Sequence, residues 1–329
     1  MLRSIVALLA LVPLIASAMT FNISTLYPDG TSVVNALRDA GKQIDEATEG
    51  RVKLRLYPGG VMGDDRAVER RIRTGQLHGQ FAQGGAFASA YKDSQVLNLP
   101  LSFRDYDEVD VVRAELDEEI REGYASGGWE TFGLMDGGFA YLMSRQPIAS
   151  VEDLRAQKVW IPSNDTASAR AARAFRVSPI SLNLGSVMTS LQTGAIDAFA
   201  APPVAALTLQ WSARVDYLTD MPLLYTFGTL GIHQRHFQRI SDADQKVVRE
   251  VLTATMAELD TSARQDNIRA LTAVQNQGLD MVSPSEAELA VWRENADHAT
   301  AALVSDNQLS QEIVDRFNAI LARHRGEHD

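Results

Sequence analysis

The stretch from Leu184 to Pro203 constrains this chain more than any other. Ser186 is placed to cap a short helix whose apolar face carries Val187, Met188 and Leu191. Gly194 stands where a helix ends in a left-handed residue, a conformation glycine adopts without steric cost. Ala195 to Ala201 is a short apolar run, as in a strand buried on both faces. Pro202 and Pro203 end it, because proline fixes φ and has no N–H for a ladder. Helix, glycine, strand and proline edge form one α/β unit, and in open α/β sheets ligands bind outside the carboxyl ends of strands. Residues 73–82 repeat the rhythm of 192–201, a Thr-Gly pair followed by an apolar strand. Two such units far apart predict two lobes of similar construction with a cleft between them. A chance pairing of two short α/β turns gives the same pattern.

At 329 residues the chain exceeds one typical domain. A net charge of −11 argues against nucleic acid or an anionic membrane as partner, and says nothing of a small ligand. Met1 to Ala18 reads as a signal peptide: Arg3 supplies the positive start, Ile5 to Ile15 the apolar run, and Ala16-Ser17-Ala18 the cleavage site. An exported, periplasmic protein is expected. With no cysteine there are no disulfides, thiol nucleophiles or zinc–thiolate sites.

Further along, Phe21–Leu26, Val52–Tyr57 and Leu77–Ala82 read as strands and 32–48 as a helix. Phe132–Met135 and Phe139–Ser144 read as two strands joined through Asp136-Gly137-Gly138, near the crossing into a second lobe. Leu223–Ile232 reads as the strand returning to the first. From Ser241 no proline or glycine interrupts the chain until Gly278, which allows one helix of about 35 residues, roughly 50 Å long. The expected division is 1–18 as signal peptide, 19–140 with 225–265 as lobe I, and 141–224 with 266–315 as lobe II. A spine helix over 241–277 spans both lobes, and 316–329 is a charged tail.

Several stretches then carry a family resemblance. They are Arg51-Val52-Lys53-Leu54 through Tyr57-Pro58-Gly59, Met62-Gly63-Asp64-Asp65-Arg66, and Leu97-Asn98-Leu99-Pro100 with Phe103-Arg104-Asp105-Tyr106. Pro147-Ile148 with Glu152-Asp153-Leu154-Arg155 and Lys158-Val159, and Leu191-Gln192-Thr193-Gly194-Ala195-Ile196-Asp197, complete the set. In this order they resemble the substrate-binding proteins of tripartite ATP-independent periplasmic (TRAP) transporters, the DctP type. The resemblance implies an α/β fold of two lobes with a central cleft, hinge strands and a long spine helix. It also implies closure around one small organic anion, handed to a small and a large membrane permease subunit, with no cofactor. The family arginine that grips a carboxylate falls at Trp160 here, and a second one used by some members falls at Phe139. A charge-assisted hydrogen bond is worth about 1.5–3 kcal/mol, so another donor holds the ligand, or the ligand is not a simple carboxylate.

The candidate ligand-binding residues are Trp160 and Phe139, each a ring wall or plain core, and Tyr27, a hydroxyl after the first strand. Gln80, Gln83 and Phe87 surround the first-lobe repeat, Asp165 is a helix cap or a contact, Pro202 closes the strand, and Trp211 is a lid or core. Such a set suits an aromatic or apolar-bodied ligand, an organic acid among them, or a cation over the ring faces. The six histidines are scattered, and His233 and His236 lack a third metal ligand. No nucleophile motif occurs. The chain therefore reads as a monomeric binding protein, not an enzyme, with no metal site. An exported sensor that signals through a membrane partner is the alternative.

Overall fold

A computed structural model of the protein describes residues 18–163 and 166–328. The signal-peptide assignment to 1–18 and the candidate Asp165 therefore lie outside the described residues, apart from Ala18.

The chain opens with β1 (Met19–Thr25), α1 (Ser32–Ala47), β2 (Val52–Tyr57), α2 (Asp65–Arg73) and β3 (Gly79–Gln83). Two short 3₁₀ turns lead into α3 (Tyr106–Ser126) and the long β4 (Trp129–Ser144). Next come α4 (Val151–Arg155), β5 (Val159–Pro162), α5 (Thr166–Ala174), β6 (Ile180–Leu182), α6 (Val187–Thr193), β7 (Ala198–Ala201) and α7 (Pro203–Thr208). The chain returns through β8 (Tyr217–His233) and α8 (Gln234–Phe237) to α9 (Asp242–Asn276), then β9 (Asp280–Val282), α10 (Glu286–Ser305) and α11 (Gln311–His328). Helix starts follow the side chains that cap them: Thr31, Asp64, Asp105 and Ser241 each accept a first-turn backbone N–H, which would otherwise lack a partner.

The strands form one sheet in the order β2-β1-β3-β8-β4-β7-β5-β6, with β9 also on β8. β4 and β8 run antiparallel through both halves: Trp129 pairs with His233 at one end and Ser144 with Tyr217 at the other. β3 flanks β8 only at 228–232, and β7 flanks β4 only at 141–144. The sheet is thus two small, mainly parallel sheets joined by two shared strands. Phe132 to Ser144 is one continuous strand rather than two, with irregularities at Asp136/Gly138 and at Tyr141. The Asp-Gly-Gly sequence bends the strand without ending it, as a bulge does.

The two halves repeat each other in detail. After α2, Gly75 has φ +78°, and the N–H groups of Gln76 and Leu77 both donate to the Arg71 carbonyl. After α6, Gly194 has φ +70°, and Ala195 and Ile196 both donate to the Ser190 carbonyl. Both are the left-handed C-terminal closure that glycine permits. Next, the His78 N–H donates to the Asn22 carbonyl while the Asn22 N–H donates to His78 Nδ1 at 2.9 Å. Asp197 does the same with Lys158: its N–H meets the Lys158 carbonyl, and its Oδ1 accepts the Lys158 N–H at 2.6 Å. Ile23 then pairs with Gly79 as Val159 pairs with Ala198, and Ser24 with Gln80 as Trp160 with Phe199. The Thr-Gly echo is a structural repeat.

Each half has its own core. One is built on Phe21, Ile23, Leu37, Phe81, Phe237 and Leu252, a second on Phe87, Tyr124, Trp129 and Phe317. In the other half, Trp160, Phe199 and Trp211 lie on one face of the sheet, Phe175 and Trp292 on the other. The helix α9 spans 35 residues and packs on β4, α1 and α7, touching both halves. Residues 316–328 are not a free tail. They belong to α11, held on α3 by pairs of Arg316 with Glu119, Arg323 with Glu115, and Arg325 with Glu108 at 2.7 Å. Phe317, Ile320 and Leu321 are buried there, so the basic residues flank an apolar stripe.

A charge network anchors the joint between the halves. Asp136 is fully buried. Its Oδ1 accepts the Gly138 N–H at 2.7 Å and its Oδ2 accepts Arg264 Nε at 3.1 Å. Burial pushes its carboxyl up, against the pull of Arg264. Asp260 accepts the Asp136 N–H at 2.7 Å and Arg113 Nη1 at 2.8 Å, and Asn267 donates to the Gly137 carbonyl at 3.2 Å. Three residues of α9 thus clamp the bulge in β4.

Candidate functional site

The carboxyl ends of the inner strands face each other along the two shared strands. Gln83, the last residue of β3, is level with Gly228 and through it with Met135. Ala201, the last of β7, is level with Tyr141. The six steps of β4 from Met135 to Tyr141 span at most about 20 Å at about 3.3 Å per residue. That length along β4 is what separates the two rims. By the repeat, Tyr27 and Gln83 on one rim correspond to Ser163 and Pro202 on the other.

On the first rim, half-buried Tyr27 packs edge-on against Phe81, with ring centroids 5.2 Å apart. Its Oη accepts Gln83 Nε2 at 3.4 Å, so its own hydrogen remains to donate. Burial pushes the hydroxyl up to about 12 while the Gln83 bond pulls the other way, so it stays protonated. The opposite rim is less polar. Ala201 and Pro202 end β7, and Pro202 takes the N-cap position of α7 without a side-chain bond.

Behind that rim, Trp160 meets Trp211 edge-on at 5.2 Å, and Trp211 meets Phe199 at 5.3 Å. Trp160 Nε1 donates to the Leu182 carbonyl at 3.0 Å, and its residue is 5% exposed. It stands level with Phe199, two residues back from the strand end, so it supports the rim from within the core. Trp211, 2% exposed, does the same.

Three other expected contacts are core residues. Phe87 is fully buried between Tyr124 and Trp129, at 5.6 and 5.0 Å, because the turn after β3 folds back over the sheet. Phe139 is buried between Tyr106 at 4.9 Å and Tyr225 at 5.8 Å; the bulge at Gly138 shifts which face it points to. Gln80 is 2% exposed, level with Ser24 inside the sheet. Of the nine candidates, Tyr27, Gln83 and Pro202 stand at the rims. Asp136 and the histidine pair are absorbed structurally: Asp136 pairs with Arg264, and His233 caps α8.

Tyr141 and Ser163 were missed. Tyr141 is half-buried, touches the cores of both halves and carries a hydroxyl raised by burial and by Asp220. Extending the repeat back to β1 and β5 places Ser163 opposite Tyr27, a signal present in the sequence. Tyr141 had none, because its position depends on an irregular strand.

Residues 23–307 match the family described as "DctP: Bacterial extracellular solute-binding protein, family 7". The sialic acid-binding periplasmic protein SiaP of Vibrio cholerae is 21% identical over 306 residues, 92% of this chain and 94% of that one. The fold matches that of the sugar acid binding protein DctPAm of Advenella mimigardefordensis, solved with galactonate. There the TM-score is 0.82 at 17% identity, over 93% of this chain and 99% of that one. A TRAP periplasmic solute binding protein of Desulfovibrio salexigens, solved with orotic acid, gives 0.81 at 17% identity, over 92% and 99%. The mixed α/β sheet with its covering helices matches these two-lobed structures over nearly their whole length, and the chain belongs to the DctP family of bacterial extracellular solute-binding proteins.

Proposed function

We propose that this protein captures one small organic acid with an apolar or aromatic body between its lobes and delivers it to a TRAP permease of one small and one large membrane subunit. The facing rims carry the reading. Neutral donors at Tyr27 and Gln83 on lobe I oppose the apolar edge of Ala201 and Pro202 on lobe II. The ligand's polar end meets the donors and its body lies on the apolar edge, braced by Trp160 and Trp211. Lobe I holds β1–β3, the start of β4, the end of β8 and α11; lobe II holds β5–β7, β9 and the remaining parts of β4 and β8. The chain works as an exported monomer, with Met1 to Ala18 removed, and binds without turnover. The relatives named above, solved or named with sialic acid, galactonate and orotic acid, support an organic acid.

The test is a thermal-shift screen of the mature protein against organic acids, aromatic acids, polyols and amines. A ligand at a hundred times its Kd stabilises by about 2.7 kcal/mol. An aromatic or apolar-bodied acid is expected to give the largest shift. A response confined to small dicarboxylates or to amines contradicts the assignment.

A further inference from the structure

Five arginines gather where α2 ends on lobe I. Arg70, Arg71 and Arg73 lie on its exposed face, and only Val68 and Ile72 turn inward. Arg235 of α8 reaches across to the Ile72 carbonyl. Arg239, exposed on the turn after α8, completes the group, and its charge together with that of Arg235 bears on His78 and His236. Among the described residues only Arg73 has a carboxylate within ion-pair reach, Glu69 at 4.0 Å. The remaining four make no ion pair there. In a chain of net charge −11 this concentration is unbalanced.

Folding accounts for only part of it: Arg71 Nη1 donates to Gln76 Oε1 at 3.1 Å, and Arg235 Nε donates to His236 Nε2 at 3.1 Å. Cations near a helix C-terminus gain about 0.3–1 kcal/mol from the helix dipole, an effect confined to the last turn. Arg235 belongs to α8 and Arg239 to the turn after it, so neither gains from the dipole of α2 as a last-turn residue, and both place positive charge near His78 and His236. Between Arg70, Arg71, Ala67, Thr74 and Gln76 runs an open surface groove of about 390 Å³. Guanidinium forks in a groove fit carboxylates in pairs. A lipid surface instead calls for apolar residues beside the basic ones. The exposed large apolar residues Val61, Ile268, Met281 and Val291 lie on neither α2 nor α8.

We propose that this arginine face is a docking surface for an acidic segment of the protein's membrane partner. The face lies where α2 closes at Gly75, at the amino end of β3, whereas the solute rim lies at that strand's carboxyl end, so one molecule can hold its solute and its partner together. The inference rests on the reading of the chain as a permease-coupled binding protein, and its test separates the two.

The full-length mature protein is titrated into a fluorescein-labelled oligoglutamate peptide and followed by anisotropy. The solute found by thermal shift is measured on the same samples. Binding is expected to weaken with salt, since exposed charges are screened over about 10 Å at about 0.1 M ionic strength. The variant Arg70→Gln/Arg71→Gln/Arg73→Gln is expected to lose about tenfold in peptide affinity while keeping the solute shift. Lys42→Gln/Lys246→Gln, which removes positive charge elsewhere, is expected to leave peptide binding unchanged. Arg70→Gln alone gives a smaller loss if the triple variant folds poorly. The proposal is overturned if the native protein ignores the peptide, if the triple variant binds it as well, or if phosphatidylglycerol vesicles bind where the peptide does not. Loss of the solute shift in the native protein strikes the solute-binding reading instead.

Discussion

Gly138 is a residue at which a single methyl group would disturb the joint between the lobes, by conformation and by contact. Its φ of +83° lies in the left-handed region, and a Cβ there would stand 2.5 Å from Asn267 Cγ and 2.6 Å from Nδ2. The left-handed conformation costs a non-glycine residue about 1–2 kcal/mol. Asn267 is 4% exposed and would have to move, breaking its bonds to the Gly137 carbonyl at 3.2 Å and the Ala263 carbonyl at 3.1 Å. At about 0.5–1.5 kcal/mol per bond, Gly138→Ala should cost about 2–5 kcal/mol in all. Gly59→Ala is the control: φ is +68° with nothing within 4 Å, so only the conformational cost of about 1–2 kcal/mol applies. Adding Asn267→Ala to Gly138→Ala removes the clash, so the pair should be less than additive. Urea denaturation at neutral pH measures these variants together with Asn267→Ala alone. If Gly138→Ala costs no more than Gly59→Ala, the clamp of α9 on β4 does not exist as described.

Acid should weaken the fold through His236. Burial first, then the charges of His78 and Arg235, lower its pKa from 6.5 to about 4, so it is neutral in the fold. That contribution is complete above pH 6.5 and is lost as pH falls toward about 4. Urea midpoints should therefore drop between neutral pH and pH ~5 more steeply than in His236→Gln; equal slopes exclude the assignment. Trp160→Ala should cost about 3–5 kcal/mol by leaving a cavity beside Trp211, and Trp160→Phe much less, as read by thermal denaturation. Tyr27→Phe removes one donor at the rim and should lower solute affinity by up to about tenfold with an unchanged melting temperature. Calorimetry with the screened solute decides this, and unchanged affinity removes Tyr27 from the site.

Much of the fold was legible because its signals are local. Ser241 and the absence of proline and glycine up to Gly278 define α9, which runs over Asp242–Asn276. Gly75 and Gly194 mark the two repeats, because only a left-handed closure fits after α2 and α6. What escaped depends on distance in the chain or on parity. Arg113 meets Asp260 across 147 residues, and no local pattern announces that pair. Phe139 and Phe87 have the composition of ligand walls, but a bulge and a folded-back turn direct them into the core. The carboxyl end of α11 reads as charged, since its buried Phe317, Ile320 and Leu321 are spaced among arginines that pair with α3.

The chain contains no cysteine, so two introduced ones are its only labelling positions. Lys42→Cys on α1 and Arg173→Cys on α5, both exposed, place spin labels on helices that follow the facing strands β1 and β5. Pulsed dipolar spectroscopy then reads the distance between lobes with and without the screened solute. Capture by closure predicts a shorter, narrower distribution at saturation. An unchanged distribution under full occupancy contradicts it.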